Sequence, residues 1–353
     1  MNERRRDLLE DLLTTAGPSG YEASVQSRWI EAVEGVADRV QTDAYGNAIA
    51  ILDNGGPPLA VAGHADEIGY IVRDITDDGF VRIDRIGGAD RTVSRGQHVT
   101  VRTADGPVPG VIGQTAIHLR DRDTEDLVDI DEQHVDIGAP DADIAAELVD
   151  RGDPVVIDQR VRDLADNRLA ARGLDNRIGV WTAAETLRAA AERDLDVSLA
   201  AVSTVQEELG IKGATMVGFD LDPDAAIAVD VTHATDQPDS PADRSNGIEL
   251  GDGPVVARGS ANHPALVDSV RSAAAAIDQP IQLQAAGIRT GTDADAFYTA
   301  RGGIPALNVG LPNRYMHTPV EVIDTADLDA LPDLLAAVAE RAGDVLPIDG
   351  PDW

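Results

Sequence analysis

The chain reads as an α/β protein: a mainly parallel central sheet flanked by helices, carrying an inserted small β-barrel. Three observations predict this. From Leu174 onward, apolar strand-like runs alternate with helix-length segments, the pattern of a parallel sheet covered on both faces. Between about Ile68 and Asp163 the texture changes to short alternating segments such as GYIVRDI, GFVRIDRI, HVTVRT and PVPGVIG, broken by Gly, Asp and Pro. Ahead of that stretch, PLAVAG is a continuous apolar run, as expected of a buried strand. The chain therefore divides into one discontinuous α/β domain, residues 1–67 plus 164–353, interrupted by a β-rich domain, residues 68–163.

The elements follow in order. A first helix ends near Ala16, a GPSGYE turn follows, and a second helix runs through Trp29. ADRVQTDAYGNAIAIL supplies short β-type runs before PLAVAG. Within the insertion, RDRDTEDLVDIDEQH (Arg120–His134) is a dense charge run, expected to be a flexible loop. Then come a helix in IGVWTAAETLRAAAER, a strand in VSLAAVST, a short helix near Ile211 and a strand in AAIAVDV. A helix over Pro264–Ile277, strands near IQLQ and PALNVG, and a last helix over Ala326–Ala342 complete the pattern.

Composition bounds the function. At 353 residues the chain has room for about two domains. With 43% hydrophobic residues but only 3% aromatic ones, its core must be built from Val, Ile, Leu and Ala. No apolar run reaches the length of about 18 residues that spans a membrane. The opening MNERRRDLLEDLL lacks the apolar stretch of a signal peptide, so a cytoplasmic location is the simplest expectation. Cysteine is absent, which excludes disulfides and thiolate chemistry and leaves His and carboxylate as metal donors. A net charge of −34 argues against nucleic acid as a partner. The single lysine, Lys212, stands against 28 arginines, and Asp dominates the acids. That balance predicts a halophilic protein, whose self-repulsion molar salt screens over about 3 Å.

Ligand-type residues follow the strand-like runs: His64 and Asp66 after PLAVAG, Glu207 and Glu208 after VSLAAVSTVQ, and Asp230 in AAIAVD. Open α/β sheets bind ligands beyond the carboxyl ends of their strands, so separate strands would bring these side chains to one edge. Asp175 precedes a helix, and His317 follows PALNVG by one loop. Each has an ordinary reading alone: solvated acids, a structural histidine, an N-cap, a turn. Together they fit two divalent metals about 3.5–4 Å apart, which need a bridging carboxylate and terminal ligands. Asp175 would bridge, His64 and Asp230 would hold one metal, and Glu208 and His317 the other. Glu207 stays free as general base, and Asp66 would hold the second ring nitrogen of His64. Zn2+ or Co2+ suits such donors.

These residues, in this order, resemble the tetrahedral (TET) aminopeptidases. The match runs nearly end to end through LLxxAGPSGYE, GHADEIGYIV, GVIG, VDIGA, GLDNRIGV, VQEELGIKGA, AVDVTHATD, RTGTDADAF and MHTPVEVI. The resemblance implies the same five ligands, Glu207 as base, Asp66 as orienter, and a cis peptide at Asp175–Asn176. It also implies peptide substrates, dimers formed through the inserted domain, and a dodecamer of six dimers. The insertion falls between His64 and Asp175, which weakens a carboxypeptidase reading. Thr290, Gly291 and Thr292 either line the substrate pocket or form a tight turn. His98, His118, His134, His233 and His263 lack metal spacing and are expected to be structural or exposed. Removal of N-terminal residues from peptides is the leading function. Deacylation of N-acyl amino acids, endoglucanase-type hydrolysis and a non-catalytic scaffold are the alternatives.

Overall fold

The computed structural model describes residues 1–120, 127–158, 160–238, 240 and 247–348. Helix α1 (Glu3–Thr14) starts where the Asn2 side chain accepts a hydrogen bond from the Arg5 amide, and it buries Leu9, Leu12 and Leu13. It stops at Thr14 rather than near Ala16 because Thr15 already has extended backbone ahead of the Gly17–Pro18 turn. Helix α2 (Ala23–Val33) continues past Trp29, since Val25, Trp29 and Val33 form one buried stripe at four-residue spacing.

The main sheet has eight strands in the order β1 (Arg39–Thr42), β2 (Ala48–Leu52), β12 (Ser198–Thr204), β3 (Pro58–His64), β13 (Ala225–His233), β16 (Ala306–Asn313), β14 (Val255–Gly259) and β15 (Gln282–Ala286). The four central strands, β12, β3, β13 and β16, are parallel neighbours. They are buried on both faces, as their continuous apolar runs require. Alternate residues face opposite sides. Leu59 and Val61 join the core under α1, α2, α4 (Leu174–Ala190), α6 (Pro264–Ala276) and α8 (Thr325–Arg341). Ala60 and Ala62 face the smaller core beneath α5 (Lys212–Leu221) and α7 (Asp293–Thr299). The short helix expected near Ile211 is thus α5, ten residues long.

The region after β3 closes into a six-stranded barrel: β4 (Gly69–Ile75), β5 (Val81–Ile86), β8 (His134–Asp136), β7 (Gly106–Ile112), β6 (His98–Thr103) and β9 (Pro154–Ile157), in that spatial order. It has its own core, including Tyr70, Ile83, Val99, Ile112 and Val135. A helix the sequence pattern did not suggest, α3 (Ala142–Leu148), sits on the barrel, capped by Asp141. It buries only Ala145, so its apolar periodicity is faint. The charge run Arg120–His134 is not loop throughout. Residues 121–126 lie outside the described residues, but Ile130–Glu132 forms a 3-10 turn and His134 opens β8. A small sheet of β10 (Arg162–Asp163), β11 (Arg168–Ala171) and β17 (Glu321–Asp324) lies beside α4. No helix among the described residues is long and apolar enough to cross a membrane.

Candidate metal centre

The carboxyl ends of β3, β12 and β13 lie side by side, with Thr204 opposite His64 in register. His64 closes β3, Asp230 lies in β13, and Glu207 and Glu208 follow β12 by one turn. Asp175 comes from above the sheet, at the start of α4. A close approach makes this possible: a Cβ on Gly63 would lie 2.3 Å from the Gly179 carbonyl carbon. Glycine at 63 lets α4 rest directly on β3. Glycine at 179, where a Cβ would come within 2.5 Å of the Val229 carbonyl oxygen, lets it rest on β13, and together they bring Asp175 over the strand ends. The peptide Asp175–Asn176 is cis. His317 reaches the same point from the loop between β16 and β17, and its ring packs on Gly88 of the barrel, where a Cβ would come within 2.6 Å of Nδ1.

The geometry separates two triads. Asp175 Oδ1 lies 3.3 Å from His64 Nε2, and Asp230 Oδ1 lies 3.8 Å from that nitrogen. Asp175 Oδ2 lies 3.3 Å from His317 Nε2, which is 3.4 Å from Glu208 Oε1. The donor atoms of each triad fall within 4.8 Å of one another. These spacings decide what the cluster is for. An N–H···O hydrogen bond prefers about 2.9–3.0 Å. Two ligands at about 2.0–2.1 Å on one tetrahedral ion are instead about 3.3 Å apart. The donors are therefore spaced as ligands of shared cations, and His with carboxylate is a suitable donor set. Glu207 belongs to neither triad; its Oε2 stands 3.9 Å from His64 Nε2.

A second layer fixes these groups. Asp66 contacts His64 Nδ1 at 3.3 Å and accepts hydrogen bonds from the Glu207 and Glu208 amides and from Ser19 Oγ. Glu321, on β17, accepts from the backbone amides of both Asp175 and His317. The His317 Nδ1 is 3.2 Å from the Gly88 carbonyl oxygen. Buried Asp293 accepts a 2.5 Å hydrogen bond from Thr204 Oγ1. Ser19, Asp293 and Glu321 were not among the residues the sequence singled out. Asp293 and Glu321 lie inside the quoted segments RTGTDADAF and MHTPVEVI, but two more acids among 63 carry no signal of their own.

The electrostatics fit a cation site. Burial, reinforced by Asp230, Asp293 and Glu208 against the opposing pull of His64, pushes Glu207 up to about 10. Burial and Asp175 push Glu208 up to about 7. Burial also raises Asp230 and Glu321 well above the usual carboxylate range, and Asp293 to about 6. Burial opposes ionisation of Asp175, but contacts from His317 and His64 outweigh it and hold this group low. Contact with Asp175 lifts His317 to about 10. No lysine or arginine pairs with Asp175, Glu207, Glu208, Asp230, Asp293 or Glu321 among the described residues. Carboxylates gathered this tightly without counter-charge call for cations.

The centre opens onto a cavity of about 770 Å³, with Thr290, Gly291 and Thr292 on its wall. Those three residues also form a tight turn: the amides of Thr290 and Gly291 donate to Asp295, and Thr292 caps α7. His98, His118 and His134 are exposed on the barrel segment, and His263 precedes α6. His233 is exposed at the end of β13, on the cavity wall.

A parallel-centred α/β sheet whose carboxyl edge gathers two histidine–carboxylate triads beside an open cavity defines a metal-dependent hydrolase. Residues 46–334 match the model of the M42 glutamyl aminopeptidase family, and the chain belongs to that family. It is 33% identical to the lysyl aminopeptidase of Pyrococcus furiosus, over 95% of this chain and 96% of that one. Its fold is similar to that of aminopeptidase APDkam598 from Desulfurococcus kamchatkensis, with a TM-score of 0.91 and 31% identity, covering 99% and 98% of the two chains. It is also similar to the Pyrococcus horikoshii TET1 peptidase, which can assemble into a tetrahedron or a large octahedral shell. There the TM-score is 0.85 and the identity 31%, over 95% of this chain and 99% of that one.

Proposed function

We propose that the chain, an aminopeptidase, removes N-terminal residues from peptides at the two triads, with Glu207 as general base. The observation that carries this reading is the division of Asp175, whose two oxygens each face a different histidine at 3.3 Å. His64 and Asp230 would hold one divalent cation, Glu208 and His317 the other, and Asp175 both. When bound, Zn2+ or Co2+ supplies Lewis acidity toward the scissile carbonyl and the attacking water. Glu207 takes the proton from that water and returns it to the leaving amine. Its Oε2 stands 3.9 Å from His64 Nε2 and the side chain belongs to neither triad, which leaves the carboxylate free for that role. Asp66 orients His64 and pins the backbone amides of Glu207 and Glu208. Thr290, Gly291 and Thr292 hold the substrate against the cavity wall.

Residues 68–163 serve as a dimerisation domain in a dodecamer built from six dimers, a reading supported by the similarity to the TET1 peptidase. The net charge of −34 and the near absence of lysine support work in a salt-rich cytoplasm. The test is hydrolysis of aminoacyl p-nitroanilides in molar KCl, with chelator and then with added Zn2+ or Co2+. Metal-dependent release from unblocked residues, absent from N-acetylated ones, is expected. Release from N-acylated substrates alone would replace this reading with deacylation.

A further inference from the structure

We propose that His233 is a further catalytic residue, donating a hydrogen bond to the scissile carbonyl oxygen as that oxygen gains negative charge. The inference rests on the aminopeptidase reading of the same cavity. β13 is buried from Ala225 through Thr232 and emerges at its last residue, His233, on the cavity wall. Val229 and Val231 pack in the core beneath α4. The two-residue period of a strand therefore turns His233 toward the face from which α4 delivers Asp175.

Three observations distinguish this ring from the other histidines of the centre. His64 and His317 have Nδ1 anchored, by the Asp66 and Gly88 carbonyl oxygens, and present Nε2 to the triads. His233 has no hydrogen-bond partner among the described residues, so both its nitrogens are available to a ligand. The carboxylates that line the same cavity, Asp175, Glu207, Glu208 and Asp230, have no proton to give once ionised. A tetrahedral oxyanion needs donors, and the hydroxyls on this wall are already engaged, Thr290 with Thr292 and Thr232 with Gln284. An imidazole carries at least one N–H in either protonation state, so an unpaired His233 always has a donor to offer.

The test compares metal-loaded wild type, His233→Ala and His233→Gln. The glutamine keeps a donor, does not titrate, and fills the space should the alanine variant fold poorly. Three quantities are read: kcat and KM on the best aminoacyl p-nitroanilide, calorimetric affinity for the phosphonic acid analogue of that residue, and affinity for the free amino acid. His233→Ala should lower kcat about 100-fold with little change in KM. The phosphonate should weaken by a similar factor while the free amino acid binds as before, and Gln should recover at least part of both losses. A His233→Ala kcat within threefold of wild type, or an equal loss of phosphonate and amino acid binding, would overturn the proposal. A wild-type protein that cleaves no aminoacyl substrate would remove the underlying reading instead, and this one with it.

Discussion

Two buried charge clusters lie a few residues apart and are built on opposite principles. In the first, Glu67 is clamped by Arg172 and Arg177, and also accepts the Gly17 amide. Burial opposes its ionisation, yet the two arginines win and hold its pKa below the usual value. In the second, Asp175, Glu207, Glu208 and Asp230 share only two imidazoles, and three of the four have their pKa values raised. The first cluster is complete within the chain, so it serves the fold. The second is complete only with cations, and its instability without them is what gives it affinity for them.

That contrast can be broken from either side. The largest effect should come from Glu207→Gln, which removes the proposed base but no member of the two triads. We expect kcat to fall about 10³-fold or more, with thermal unfolding of the metal-loaded protein unchanged. Arg177→Met should do the reverse. It leaves Glu67 short of a partner and frees the carbonyls of Leu12 and Thr15, to which Arg177 Nη1 donates. Denaturant titration should show a loss of about 3–5 kcal/mol, the same with and without chelator. Chelation should destabilise wild type by about 2.7 kcal/mol for each bound ion, relative to metal at a hundredfold excess over its Kd. Asp175→Asn should shrink that difference, and an unchanged difference would mean that the triads do not hold the metal.

The smallest effect concerns Glu22, which sits between the clusters and accepts from the Gly20 and Gln206 amides. Burial, with Asp66 adding to it, raises its pKa from 4.5 to about 6. A raised acid keeps its proton in the folded state while the unfolded chain has already lost its own. Stability should therefore fall as pH rises from 4.5 to 6 and level off above, by about 2 kcal/mol in all. Glu22→Gln should flatten that part of the stability–pH curve, measured at fixed salt.

Much of this was readable in the sequence, for a physical reason. Buried parallel strands are continuous apolar runs, so their ends are marked: His64 closes one, the Glu207–Glu208 pair stands just beyond another, and Asp230 lies three residues before the end of a third. Asp175 and His317 were harder, since a helix start and a loop have many ordinary uses; the neighbouring motifs carried them. What was missed acts through contact alone. Ser19 bonds Asp66 across 47 positions, and Glu321 joins the amides of Asp175 and His317 from a four-residue strand. Strand β14 and helix α7 escaped notice because they are short and bounded by glycine, serine and threonine. The Gly63–Gly179 contact is invisible until α4 is laid on β3.

The barrel has a consequence for how the chain comes together. Its first and last strands, β4 and β9, are hydrogen-bonded neighbours, with Tyr70 opposite Val155. Once closed, the barrel holds its own entrance and exit side by side. For the chain outside it, a loop of roughly a hundred residues then behaves as a short link. Loop closure costs about 0.6 kcal/mol more for each doubling of length, so an early barrel, which cuts the path about fourfold, would remove about 1.2 kcal/mol from the search that brings Asp175 to His64. On this view the insertion hastens assembly of a centre whose parts are spread from residue 64 to residue 317.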